Sequence, residues 1–143
     1  MSTSTVSSTA AGEAWGLFWR IFTADKPRRM ATMNELGLAP MQSMALMQLR
    51  PGEPMPMSAL AHALMCDNSN VTGIVDRLEA QGLVERRPSE HDRRVKTLVV
   101  TPKGIELRGE LERRMGVPPP PLANLSDEDA VALRDILQRA LEV

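Results

Sequence analysis

Ser69, Asn70, Thr72, Gly73, Asp76 and Arg77 share the polar side of a stretch whose other side carries Val71, Ile74, Val75 and Leu78. The apolar set recurs at helical spacing and predicts a helix from Ser69 to Ala80, anchored to a core by that face. The outward groups are short hydrogen-bonding tips, a glycine and one long cation a turn further on. Their chemistry is recognition. Small residues let a helix backbone come close to a surface, and amide, hydroxyl and guanidinium tips reach base edges and phosphates in a major groove. A second concentration follows, with Arg86, Arg87, Arg93, Arg94 and Lys96 close together. Guanidinium groups on a protruding loop suit phosphates and the negative potential of a narrow minor groove. Asp92, two residues before Arg94, is placed to orient that guanidinium through a charge-assisted pair.

The neighbouring residues supply elements to position these groups. Ser58 follows Pro56-Met57 and is expected to cap a short amphipathic helix over Ala59 to Met65. Cys66-Asp67-Asn68 makes the turn, with Asp67 or Asn68 capping the helix that follows. Gln81-Gly82 ends that helix, because glycine accepts the left-handed conformation at a C-terminus. Leu83 to Pro88 and Lys96 to Val100 read as paired strands around the polar loop Ser89 to Val95. Thr101-Pro102 then opens another helix, Thr as cap and Pro in the first helical position. Helix, tight turn, helix and basic hairpin is the layout of a winged helix-turn-helix. The expected fold class is mainly α with a small β-hairpin wing.

Asp92-Arg93-Arg94, the five residues Val95 to Val99, Val100-Thr101, two more residues and Gly104 resemble the wing signature of the bacterial multiple-antibiotic-resistance regulator (MarR) family. That signature runs Asp-any-Arg, five residues, Leu-Thr, two residues, Gly, and Val100 stands at its Leu. Asn70-Val71-Thr72, Asp76-Arg77-Leu78-Glu79 and Gly82-Leu83-Val84 resemble the same family's recognition helix and its exit. The resemblance implies a sequence-specific, homodimeric transcription regulator of double-stranded DNA, expected to be a ligand-responsive repressor. Ser69, Asn70, Thr72, Gly73 and Arg77 then face the major groove, Arg94 enters the minor groove, and Arg86 and Arg93 hold phosphates. In this family the first helix and the last two build the dimer.

The termini fit that expectation. Helix one is expected from Glu13 to Met33, interrupted near Pro27, and it holds all four aromatic residues, Trp15, Phe18, Trp19 and Phe22, in a single stripe. Such a stripe suits a core and a dimer interface equally. Pro40 to Leu49 reads as a second helix. A helix after the wing stops at Gly116, and Pro118 to Pro121 is expected to forbid helix. Ser126 caps a last helix with Leu133, Ile136, Leu137, Ala140 and Leu141 on its apolar face. The expected division is a disordered tail over 1–12 and a single winged-helix domain over 13–143. Within that domain, about 56–101 form the DNA-binding lobe, and about 13–33 and 102–143 the dimerisation helices.

Composition limits the alternatives. The 143 residues are 43% hydrophobic, enough for one core, and the net charge of −1 means that DNA affinity must come from a local patch. One cysteine excludes an intramolecular disulfide. Cys66 is open to two readings, a redox switch or a small semi-buried turn residue. His62 and His91 stand in no metal-ligand spacing, and no phosphate loop or nucleophile elbow is present, so no cofactor or catalysis is expected. No apolar run is long enough to span a bilayer, and Ser2 to Thr9 lacks an export signal, so a cytoplasmic protein without membrane contact is expected. Ten methionines are the odd feature. Met30, Met33, Met44 and Met47 are either adaptable core or the lining of a pocket for a small apolar or anionic ligand. From other classes stand a winged-helix protein–protein module without DNA binding and the dimerisation part of an enzyme. The arginine-rich wing argues against the first, and the second lacks a catalytic half.

Overall fold

A computed structural model describes residues 9–142. The first long helix is two helices, α1 (Ala10–Ala24) and α2 (Lys26–Glu35), parted at Asp25. Pro27 accounts for the break, since a proline ring is tolerated in the first turn of a new helix but clashes in the middle of a continuous one. Asp25 makes a two-point pair with Arg28, at 2.7 and 2.9 Å, and Arg28 also donates to the Val117 carbonyl at 3.0 Å. At the other end Thr9 caps α1, its hydroxyl accepting from the Gly12 amide at 3.1 Å. Residues 10–12, expected in the tail, are therefore helical, and the tail's first eight residues lie outside the described residues.

Residues 29–116 form one unit, wider than the lobe of 56–101 expected from sequence. Its core explains the extension. Leu38 ahead of α3 (Pro40–Gln48), Leu46 within it and Leu49 at its end are buried in one cluster with Leu60, Val71, Val75, Leu78, Leu83 and Leu98. Leu111 joins them from α6 (Pro102–Met115). Each such side chain withdrawn from water contributes roughly 1.5–3 kcal/mol. Met33, Met41 and Met47 pack against this cluster, whereas Met44 is half exposed.

After α3 come β1 (Met55–Pro56), α4 (Met57–Ala63), α5 (Asn68–Ala80), β2 (Val84–Pro88) and β3 (Lys96–Val100). The hairpin pairs antiparallel from Val84 opposite Val100 to Pro88 opposite Lys96. Sequence reading missed β1, which pairs Met55 with Leu98 and makes a sheet of order β1-β3-β2. Two residues, one of them proline, show no alternation; proline is tolerated because β1 is an edge strand. Ser58 is not a cap, for α4 starts two residues earlier than expected, at Met57, with Pro56 in the cap position and no side-chain cap bond.

Thr101 and Gly104 join α6 to the wing. The Thr101 hydroxyl donates to the Gly82 carbonyl and accepts from the Gly104 amide, and the Thr101 amide donates to the Leu83 carbonyl at 3.0 Å. A Cβ on Gly104 would lie 2.1 Å from the Leu83 carbonyl oxygen and 2.7 Å from a Val100 methyl, so only glycine fits.

The second unit holds, of the described residues, 9–28 and 117–142. Besides α1 it contains α7 (Pro120–Ala123) and α8 (Asp127–Leu141), the latter capped by Ser126 accepting from the Asp129 amide at 3.1 Å. The single turn of α7 corrects the expectation that Pro118 to Pro121 excludes helix. Pro120 and Pro121 occupy a first turn, where their missing donors are not needed. Neither α1, α7 nor α8 has a buried residue.

Candidate nucleic-acid interface

The N-terminus of α5 is organised by Asp67, whose carboxylate accepts from the Asn70 amide at 2.9 Å and the Ser69 hydroxyl at 2.8 Å. These bonds, the Asn70 amide first, hold the Asp67 carboxyl below its ordinary value. With Val71, Val75 and Leu78 turned into the core, Ser69, Asn70, Thr72, Gly73 and Arg77 are all exposed. The Thr72 hydroxyl donates to the Asn68 carbonyl at 2.8 Å, so Ser69 and Thr72 direct their protons inward and keep lone pairs to accept with. Among the described residues the Asn70 amide group and the Arg77 guanidinium have no side-chain partner, which leaves their hydrogen-bonding groups open to a ligand. Gly73 sits mid-helix with nothing within 4 Å of the place a Cβ would take. Packing does not require a glycine there, and mid-helix glycine costs about 0.5–1 kcal/mol relative to alanine. What it provides is bare backbone on the outward face.

The wing sorts its cations into two groups. Arg86 faces inward to α5: its guanidinium donates to Glu79 at 2.8 Å and to Asp76, and its amide reaches Glu79 at 3.3 Å. Asp76 first, and Glu79 with it, raise the Arg86 pKa above its already high ordinary value. Arg86 was expected to hold phosphate, but it is engaged in joining the wing to α5 and neutralising two carboxylates there. Sequence alone missed that pairing. Asp76 and Glu79, three residues apart on one helix, are a signal that could have found it. Arg87 pairs with Glu85 at 2.7 Å. Arg93, Arg94 and Lys96 are exposed and have no side-chain partner among the described residues.

Asp92 corrects another expectation. Its carboxylate accepts from the Arg94 backbone amide at 3.0 Å, not from the guanidinium, and its carbonyl accepts from the Val95 amide at 3.0 Å. It orders the turn that carries Arg94 and leaves the Arg94 side chain open. The Ser89 amide closes the loop on the Val95 carbonyl at 2.8 Å.

The other candidates fall elsewhere. Trp15, Trp19 and Phe22 stack edge-to-face, with centroids 5.8 and 5.9 Å apart, and each remains more than half exposed. With Phe18 and Leu137 they line an apolar hollow of about 420 Å³. On α8, Ile136, Leu137 and Leu141 are exposed and Leu133 is half-buried. Within the lobe, a cleft of about 530 Å³ is lined by Leu36, Leu83, Leu107, Lys103 and Glu106, among others, and by none of Met30, Met33, Met44 and Met47. Cys66 is half-buried and packs against the core, its thiol 3.4 Å from the Leu64 carbonyl. Among the described residues no cluster of three His, Cys, Asp or Glu could hold a metal, and no helix is long and apolar enough to cross a membrane.

Known proteins share this arrangement. Residues 38–96 match the MarR family. The HTH-type transcriptional regulator YfiV of Bacillus subtilis (strain 168) is 30% identical over 96% of this chain and 88% of its own length. The HTH-type transcriptional repressor MdtR of the same organism is 29% identical over 76% of this chain and 71% of its own length. A solved MarR family protein from Bacillus stearothermophilus superposes with a TM-score of 0.78 at 26% identity, covering 92% of this chain and 93% of that one. Similarity that reaches well beyond the wing signature makes this chain a member of the MarR family of DNA-binding transcriptional regulators, which are not enzymes.

Proposed function

We propose that the protein is a homodimeric, ligand-responsive repressor that binds a pseudo-palindromic operator in the cytoplasm. The observation that carries this reading is the open hydrogen-bonding face of α5 beside a wing whose Arg93 and Arg94 have no internal partner among the described residues. In this reading Asn70 pairs with a base edge, Ser69 and Thr72 accept from bases, and Gly73 lets the backbone close on the groove. Arg77 and Arg93 bind phosphate, and Arg94 enters the minor groove.

Dimerisation is supported by the terminal helices. Trp15, Trp19 and Phe22, with half-buried Phe18 in the same stripe and Ile136 and Leu141 exposed on α8, are the kind of apolar surface a second copy covers. The repressor assignment is supported by the relative MdtR, which is named as one. Ligand response is supported by the methionines of α2 and α3: Met33 and Met47 touch the core while Met44 is half exposed, and such side chains re-pack readily. A ligand preferring a lobe spacing that mismatches the operator by about 1–3 kcal/mol lowers DNA affinity roughly 5- to 150-fold.

Selection of genomic fragments by the purified protein tests the DNA reading, which expects recovery of a shared palindromic sequence. Titrating small aromatic acids while following Trp15 and Trp19 fluorescence tests the ligand. Binding that operator DNA weakens is expected, and binding indifferent to operator would remove regulation from the proposal.

A further inference from the structure

The turn between α4 and α5 contains an anomaly that the interface described above does not use. Three helices end in the same way, with a left-handed residue whose amide bonds three residues back and a following amide that bonds five back. After α2 the left-handed residue is Gly37, at φ 71°, and after α5 it is Gly82, at φ 73°. After α4 it is Met65, at φ 53°, the one non-glycine residue with positive φ among the described residues. Its amide donates to the His62 carbonyl at 3.1 Å and the Cys66 amide to the Ala61 carbonyl at 3.0 Å, so the motif is complete. A side chain in this conformation is disfavoured by about 1–2 kcal/mol.

That side chain gains nothing from the protein in return. Met65 is 95% exposed, the most open large apolar residue of the lobe, while its neighbour Cys66 makes the contact with the core. A strained backbone and a fully wetted apolar side chain thus fall on one residue, and strain of this kind concentrates at functional sites. The position is informative too. Met65 stands two residues before the Asp67 cap of α5, so the two lie within about 7 Å of each other. It is therefore beside the groups that enter the groove.

We propose that Met65 is a DNA-contacting residue whose side chain lies against apolar surface of the duplex where α5 enters the major groove. Thymine methyl groups and deoxyribose both supply such surface. The inference rests on the DNA-binding reading above. It adds an apolar contact to a surface otherwise built from polar groups.

The test compares the full-length wild type with Met65→Gly and Met65→Leu on the duplex recovered by genomic selection, and on copies in which single thymines are replaced by deoxyuridine. Met65→Gly is expected to raise Tm, because strain is relieved, and to weaken the selected duplex roughly tenfold. Met65→Leu should keep most of the affinity. A thymine whose methyl matters will show as a deoxyuridine position that weakens the wild type and leaves Met65→Gly unaffected. Weakening by Met65→Gly without any such position assigns the contact to deoxyribose. Wild-type binding retained in full by Met65→Gly would overturn the inference and leave the DNA reading intact. A wild type that selects no duplex would overturn both.

Discussion

Asn70, Arg86 and Arg93 are exposed or half-exposed polar residues of one small lobe, and their surroundings give them different work. Among the described residues the Asn70 amide group on the leading turn of α5 and the Arg93 guanidinium on the wing have no side-chain partner, whereas Arg86 has two carboxylates of α5. Salt titrations on selected and scrambled duplexes separate them. Asn70→Ala is expected to weaken the selected duplex by about 1–3 kcal/mol more than the scrambled one. Arg93→Ala should weaken both similarly and lower the salt slope by about one unit, as loss of a phosphate contact does. Arg86→Met should weaken binding without lowering the slope, because its charge is already matched within the protein. Equal losses with equal slopes in all three variants would contradict these roles. Residue types made Asn70 and the wing arginines legible in the sequence. They could not separate Arg86 from Arg93, since that depends on which arginine the hairpin turns toward α5.

At the scale of elements, two local devices shape the lobe, one at the start of α5 and one where α6 meets the wing. The first is the Asp67 cap. Its carboxyl titrates below the ordinary 3.8, so the ionised cap contributes stability above that value and loses it as pH falls through the depressed one. Thermal melts should show no effect of this group from pH 5 to 8 and a loss below about pH 4. Asp67→Asn caps without titrating, so its melting temperature is expected to fall less over the same acid range; a parallel fall in both proteins would contradict the assignment. The second device is Gly104, where Gly104→Ala is expected to destabilise by about 1–3 kcal/mol or more in denaturant unfolding, and a neutral result would show that α6 can shift away from Leu83. Caps and breakers were the most legible features: Asp67, Gly82, Thr101-Pro102, Gly116 and Ser126 act as their types and positions suggest. The misses have physical causes. Strand β1 is too short to show a period, and proline's tolerance of a first turn hid α7. Thr9 capped earlier than the apolar stripe began.

For the whole molecule, the proposed function assigns the apolar surface at the termini to a second copy and the open polar surface on the lobe to DNA. The sequence left the aromatic stripe open between core and interface, since periodicity reports a face and not what covers it. Within its own unit Trp15, Trp19 and Phe22 stay more than half exposed, which favours a second copy. Trp19→Glu should therefore shift the protein from dimer to monomer in sedimentation experiments, and a monomeric wild type would contradict the dimer. The central claim is that a two-fold pair of α5 helices reads DNA. Footprinting on a selected genomic fragment tests it most directly. The account expects two protected half-sites related by a palindrome, with centres about one helical turn, roughly 10 bp, apart. A single unpaired half-site, or no protection on any fragment, would contradict it.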